Sequence, residues 1–446
     1  MTGPDNTIDY LDQGSFMGLR ALGRGPVIQF TWIYDRPVDL DGLRRLQRNL
    51  GEGGLLGRRI ERSPLPFGRH RWVSSPGPVN LDVAAQVRSR ADAGDWADDR
   101  VHLPVDPEQG PAWHLGVQPL EGGGSVASLV VSHTIGDALA ISEAVADAID
   151  GVPRDLGYPL PGSRTRGEAV RQDMRQTIRS VPSWFAAVAG LARIAREQKS
   201  DLATSARTTS APVTTGTEAP VRLPTVTLYV ETETWNRRAE SLGGTSNVLF
   251  AAFGARLGQV IGRVDDDGRA MLSFPVSIRS AGDTRGNALT TITVMTDPAP
   301  VDTDLSELRS GIKQELAGVD EWTTVMMTPL PLTPLVPKFA ARRLEKMVLK
   351  VGKPIGCSNI GTIAGAVNRP DGTDADRMSI RMIEPGLTSA DLERLGGHLF
   401  LVAAQTARFT SVTVTGWTLG TANDKDALGK SVQQTLDELG LTGTVE

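Results

Sequence analysis

The chain has 446 residues, of which 40% are hydrophobic and 22% charged, and its 47 basic and 52 acidic side chains leave a net charge of -5. That length suits two or three ordinary domains or one large two-lobed body, with a core big enough to need no covalent staples. One cysteine and five histidines, no two of them at zinc-ligand spacing, exclude a disulfide framework and a multi-cysteine metal site, and no basic excess argues for nucleic acid.

The first residues, MTGPDNTIDYLDQGSF, lack the charged and apolar blocks of a secretory signal. The uncharged window 322–337 carries four prolines and is shorter than a membrane span. A cytoplasmic location is the expectation. PVIQFTWIYDRP (26–37) is rich in β-branched and aromatic residues and predicts a strand. DLDGLRRLQRNL follows with Leu40, Leu43, Leu46 and Leu50 at helical spacing, capped by Asp39 or Asp41. AWHLGVQPL and SVASLVVSH flank Glu-Gly-Gly-Gly, a hairpin signal. Residues 138–149 return to helical period, and 167–199 read as helix, broken or restarted at Pro182.

Residues 200–224 are rich in Ser, Thr, Ala and Pro without periodicity and read as an exposed linker. Beyond it, TVTLYVETETW alternates like a strand, and SNVLFAAFGARLGQVIGR predicts a helix with Ser246 as a possible N-cap. AMLSFPVSIR and ALTTITVMT read as strands, LSELRSGIKQEL as a helix, and HLFLVAAQT with FTSVTVTGWTL as a hairpin. A last helix ends at Gly440. Both halves mix sheet and helix. The expected fold class is α/β with two lobes of similar size, 1–199 and 225–446, joined by the linker 200–224.

The sharpest local pattern is SLVVSHTIGDALAISEAV. A buried-looking strand delivers Ser132 and His133 at its end, and a short turn leads to Asp137 at the start of a helix. Histidine suits proton transfer near neutrality, and a strand end followed by a glycine-containing turn fixes such a base. Asp137 stands where a carboxylate caps a helix. The residues alone leave two readings open: a catalytic base, or a packed histidine beside an N-cap.

SHTIGDA resembles the HHxxxDG motif of the chloramphenicol acetyltransferase and condensation-domain superfamily. LSFPVSIRSAGDTRGN (272–287) resembles the strand, arginine and later Gly-Asn pair of the wax ester synthase/diacylglycerol acyltransferase and plant acyltransferase branches. GTSNVLFAAFGARLG (244–258) resembles the helix before it, and CSNIGTI (357–363) the Ser-Asn strand near the active site. DYLDQGSF and SVTVTGWTLG also stand in family order, so the resemblance covers nearly the whole chain. Two positions depart: Ser132 replaces the first histidine and Ala138 the final glycine. No DFGWG segment is present, which favours the wax ester synthase/diacylglycerol acyltransferase-like branch.

The resemblance implies two chloramphenicol-acetyltransferase-like lobes with an active-site tunnel between them. It implies direct acyl transfer from a thioester, acyl-coenzyme A, to the hydroxyl of a lipid-like acceptor. The expected catalytic residues are His133 as general base, Asp137, and Asn359 as oxyanion donor. Ser132, Gly136 and Ser358 are the expected substrate-binding residues, with Ser358 an alternative donor. Asp137 is expected to pair with Arg279 as architecture. Read without the resemblance, Ser358 and Asn359 serve equally well as strand-end turn residues. No metal or cofactor is expected beyond the thioester as substrate. The partners are the acyl donor and a lipid-like alcohol, with no nucleic acid. Rival readings are a carrier-protein-dependent, amide-forming condensation enzyme and a catalytically silent acyl-binding relative.

Cys357 reads as a small core residue, and His70, His102, His114 and His398 as surface or packed histidines. Arg171, Arg175 and Arg179 form one basic stripe, and Lys338, Arg342, Arg343, Lys346, Lys350 and Lys353 a second basic run. Both read first as solvated helix faces. The functional alternatives are phosphate contacts to coenzyme A and peripheral contact with an anionic membrane surface.

Overall fold

The computed structural model describes residues 5–78, 80–197, 216–342 and 352–446. Arg343, Lys346, Lys350 and positions 200–215 of the expected linker lie outside the described residues.

Two mixed sheets carry the fold. The first has five strands, in the order β11 (Arg377–Ile383), β1 (Val27–Tyr34), β6 (Ser125–Ser132), β5 (Trp113–Pro119) and β4 (Asp82–Val83). The second has seven, in the order β14 (Thr444–Val445), β7 (Thr225–Glu231), β13 (Phe409–Trp417), β12 (His398–Gln405), β10 (Ile355–Thr362), β8 (Ala270–Ser277) and β9 (Leu289–Thr296). A separate ribbon pairs β2 (Arg58–Glu61) with β3 (Arg71–Ser74). β6 is buried along its whole length, as a central strand covered on both faces must be. β11 comes from the second half of the chain yet pairs antiparallel with β1 of the first sheet.

The expected hairpins form. β5 and β6 pair across the glycine turn, where Gly122 and Gly123 adopt φ of 77° and 93°. β12 pairs with β13, and the strands expected at β8 and β9 also pair with each other. Asp39 caps the helix Leu40–Glu52. Three local expectations are corrected. The cap of the helix Ser246–Val260 is Thr245, whose side chain accepts from the Val248 N–H, so Ser246 is already helical. The alternating run after β7 turns helical at Thr232–Ser241, where Trp235 buries its ring in the second core. Pro182 does not break its helix, which runs unbroken over Arg166–Glu197.

Each sheet packs its own apolar core. The first buries Phe30, Trp32, Leu129 and Val131 against the helices Leu40–Glu52 and Ala138–Ile149. The second buries Leu228, Leu272, Leu401 and Val414 against Ser246–Val260 and Lys425–Glu438. Ile360 of β10 and Val402 of β12 join the first core, so the sheets meet through packed side chains. One irregularity matters most for function. β8 and β10 run parallel but pair only at Ile355↔Leu272 and Gly356↔Ser273. Beyond Gly356 the strands part, and Pro275 on β8 has no N–H with which to continue a ladder.

Candidate active site

A cavity of about 480 Å³ lies where the two sheets face each other. Ser273, Pro275 and Ser277 of β8 and Ser358, Asn359 and Ile360 of β10 line it from the parted second sheet. Ile28, Ile380 and Met382 line it from the first, and His133, Asp137 and Ala138 complete that wall.

β6 ends at Ser132, and the His133 N–H donates to the Pro26 carbonyl at 3.0 Å. Asn287 donates from Nδ2 to the His133 carbonyl at 3.1 Å. Burial pulls the imidazole below the usual histidine range, against the opposing pull of its own backbone carbonyl, the Asp137 charge and Asn287. The neutral ring, able to accept a proton, is therefore the form held at neutral pH.

Asp137 caps the helix Ala138–Ile149 by accepting from the Ala140 N–H at 2.9 Å. Its other oxygen accepts from Arg279 Nη2 at 2.7 Å and from the Ala288 N–H at 2.9 Å. The two side chains are only 9% and 6% exposed. Arg279 also donates to the carbonyls of Arg285 and Gly286, at 2.9 and 2.8 Å. The carboxylate thus has its partners in helix caps and a buried fork, which is an architectural use of charge.

Behind His133 lies a carboxylate that the sequence reading did not single out. Asp12, 0% exposed on the helix Tyr10–Leu22, accepts from the N–H groups of Gly286 and Asn287 at 2.7 Å each, and from Asn287 Nδ2 at 3.0 Å. Burial pushes its carboxyl up to about 6, despite the nearby Arg58 guanidinium and these donors. Gly286 fits because a Cβ there would lie 3.0 Å from Asp12 Oδ1 and from the Ile135 carbonyl. Arg58 donates to the Ile135 carbonyl at 3.0 Å and to the Thr284 carbonyl at 2.6 Å, and its guanidinium sits 3.8 Å over the Trp72 ring. Asp12, Asn287 and Arg58 therefore clamp the loop that holds His133. The DYLDQGSF and Gly-Asn motifs contain two of them, but no spacing rule connects residues 275 positions apart.

Asn359 and Ser358 both reach the cavity wall. The Asn359 oxygen accepts from the Gly361 N–H at 2.8 Å, which fixes the amide's orientation, and Nδ2 donates to Asn247 Oδ1 at 2.9 Å. One amide hydrogen is left to point elsewhere. Ser132 and Gly136 are buried behind His133 and are not among the cavity-lining residues. A Cβ on Gly136 would approach Ile141 Cγ1 to 3.0 Å, so this glycine serves the tightness of the turn. Cys357 is buried, and burial pushes its thiol up, away from nucleophile behaviour. Burial likewise pulls His70, His114 and His398 down to about 4. Among the described residues, no group of three His, Cys, Asp or Glu is arranged to hold a metal ion.

No family model and no curated protein matches the chain. Solved structures do. The first condensation domain of the calcium-dependent antibiotic synthetase superposes with a TM-score of 0.57 at 16% identity, over 97% of this chain and 96% of that one. The wax ester synthase/diacylglycerol acyltransferase from Marinobacter aquaeolei VT8 gives 0.53 at 14% identity, over 97% and 98%. Polyketide synthase associated protein 5 from Mycobacterium tuberculosis gives 0.53 at 15% identity, over 98% of both chains. The chain has the condensation-domain fold.

In this condensation fold the two lobes stack His133 and the parted β8–β10 edge on opposite sides of one cavity. The expected two-lobed α/β architecture is what the sheets build, with a cavity between them.

Proposed function

We propose that the protein transfers an acyl group from a thioester to a hydroxyl, with His133 as general base. The observation that carries this reading is a desolvated imidazole, backbone-locked by Asn287 and Pro26, at the wall of a mainly apolar cavity between the sheets. His133 takes the acceptor's hydroxyl proton as its oxygen attacks the thioester carbonyl. The tetrahedral oxyanion accepts from the remaining amide hydrogen of Asn359 or from the Ser358 hydroxyl. Collapse breaks the carbon–sulfur bond, and the imidazolium returns the proton to the leaving thiolate. Asp137 and Arg279 hold the turn and touch neither reactant.

Leu289, Ile360, Met382, Phe400 and Val402 line the cavity and suit an acyl chain and a lipid-like alcohol. Acyl-coenzyme A is the donor in this reading, and neither metal nor redox cofactor takes part. The lobes 1–199 and 225–446 bring donor and acceptor together from opposite faces, in the cytoplasm. The test is a panel of acyl-coenzyme A donors and alcohols, followed by free-thiol release and by mass spectrometry of the ester. Ester and thiol should appear together. Thiol release only from a carrier-bound thioester, or an amide product, would move the protein to a different donor or acceptor.

A further inference from the structure

The helix Arg166–Glu197 has 32 residues and spans about 48 Å at the usual rise per residue. One face packs onto the protein through Ala169, Asp173, Thr177 and Ala187. Beside that face runs an apolar stripe left in the open: Met174, Ile178, Phe185 and Val188, with Ile178 and Phe185 62% and 73% exposed. Their spacings of four, seven and three keep them on one side of a helix. Flanking this stripe, Arg171, Arg175, Arg179, Arg193 and Arg196 are all exposed. Between positions 169 and 196 the single acidic residue is Asp173, which is fully buried and ion-paired with Arg71 and Arg164. With Glu168 and Glu197 confined to the two ends of the helix, a chain of net charge -5 thus presents along its middle a predominantly basic surface.

A second element extends the patch. Gly190 of the long helix packs so closely on Thr328 that a Cβ would lie 2.4 Å from its methyl group. Around Thr328, Trp322, Met326 and Phe339 are exposed, Phe339 by 70%. Lys338 and Arg342 follow, while the acidic pair Asp320 and Glu321 stands at the other end of this stretch. Leu330, between them, lines the cavity. The open apolar patch and the cavity therefore share one wall.

From this juxtaposition we infer that the face made by the helix Arg166–Glu197 and residues 319–342 docks onto an anionic lipid bilayer surface. An apolar stripe flanked by arginines is the arrangement that lies in a headgroup layer, with aromatic and aliphatic side chains below and guanidinium groups on phosphates. Among the described residues no helix is long and apolar enough to cross a membrane, so the contact lies along the surface. An acidic protein partner would answer the arginines. It would not account for single projecting apolar side chains strung along two elements, which a bilayer accepts without shape complementarity. The docking rests on the surface alone. That a lipid acceptor then passes by Leu330 to His133 rests in addition on the acyl-transfer reading.

Flotation with vesicles tests it, using phosphatidylcholine alone and an equimolar mixture of phosphatidylcholine and phosphatidylglycerol. The full chain should float with the mixed vesicles, stay behind with the neutral ones, and be released by salt. Phe185→Glu combined with Phe339→Glu, and separately Arg175→Glu combined with Arg179→Glu, should each lower partitioning by at least about tenfold. Melting temperatures should stay unchanged, because these side chains are exposed. Turnover on short-chain, water-soluble substrates should also be unchanged. That separates a failure of docking from a failure of acyl transfer. Failure of the full chain to float, or equal flotation by both variants, would overturn the docking face. So would a dimer on sizing that both variants dissolve while no vesicle is bound.

Discussion

The wall carrying His133 and the wall carrying Asn359 border the same cavity, yet they are fixed in different ways. On the first, each group is held from several directions: His133 by Pro26 and Asn287, Asn287 by Asp12, and Asp137 by Arg279, Ala140 and Ala288. On the second, the sheet itself comes apart after Gly356, and Asn359 is steadied by Asn247 and its own turn. In the proposed acyl transfer, a proton acceptor would have to be placed to a fraction of an ångström, whereas a wall that binds the acyl chain would need room. The molecule spends its buried polar contacts on one wall and breaks its ladder at the other.

The sharpest way to break this contrast is His133→Ala. Thiol release should fall by about 10²–10⁴-fold with the melting temperature little changed. Because burial holds the imidazole below its usual range, the acid limb of kcat/KM should fall below the ordinary histidine value of about 6.5. Near-normal turnover in the variant would remove the base from the mechanism. Next come the buried partners. Asp137→Asn and Arg279→Gln should each destabilise by about 3–5 kcal/mol, since each strands the other's charge. The double variant should cost less than the sum, and additive losses in denaturant melts would show no coupling.

On the opposite wall, Asn359→Ala should lower kcat by about 10²-fold with KM nearly unchanged, if its free amide hydrogen meets the oxyanion. A rise in KM alone would make it a packing residue. The smallest expected effect concerns Asp12. Burial pushes it to about 6 in the folded chain, above its value when unfolded. Its proton-linked contribution to stability is then full below about pH 4 and is lost as pH rises through about 6. Asp12→Asn keeps the shape but cannot titrate, so its melting temperature should vary less than the wild type's across that window. Parallel curves would mean that Asp12 stays charged throughout.

Much of the architecture was legible because it is written locally. Glycines marked the β5–β6 turn, and Asp137 announced a helix start that the structure confirms with its bond to Ala140. Patterns that end without punctuation misled: the alternation of Thr225–Glu231 continues in sequence through Thr232, Glu233 and Thr234, which are already helical and bring Trp235 into the second core. Pro182 read as a break, but a helix can lose one N–H and continue when packing holds both sides. At the site, the His133–Asp137 turn was visible and the Arg279 partner followed from resemblance. Asp12 was not visible as a clamp, because its task exists only once Gly286 and Asn287 arrive beside it.

The strand that crosses between the halves also bears on how the chain assembles. β11 closes one side of β1 by a seven-pair antiparallel ladder, although some 340 residues of chain separate the two. A ribosome releasing the first half would leave β1 with an open hydrogen-bonding edge until β11 is synthesised. The first sheet is therefore completed only late in synthesis, just before β12–β14 of the second, by the same chain segment whose Ile380 and Met382 face the cavity. A product truncated before β11 would hold His133 on an unfinished sheet and lack the β12 side chains Phe400 and Val402 that line the cavity.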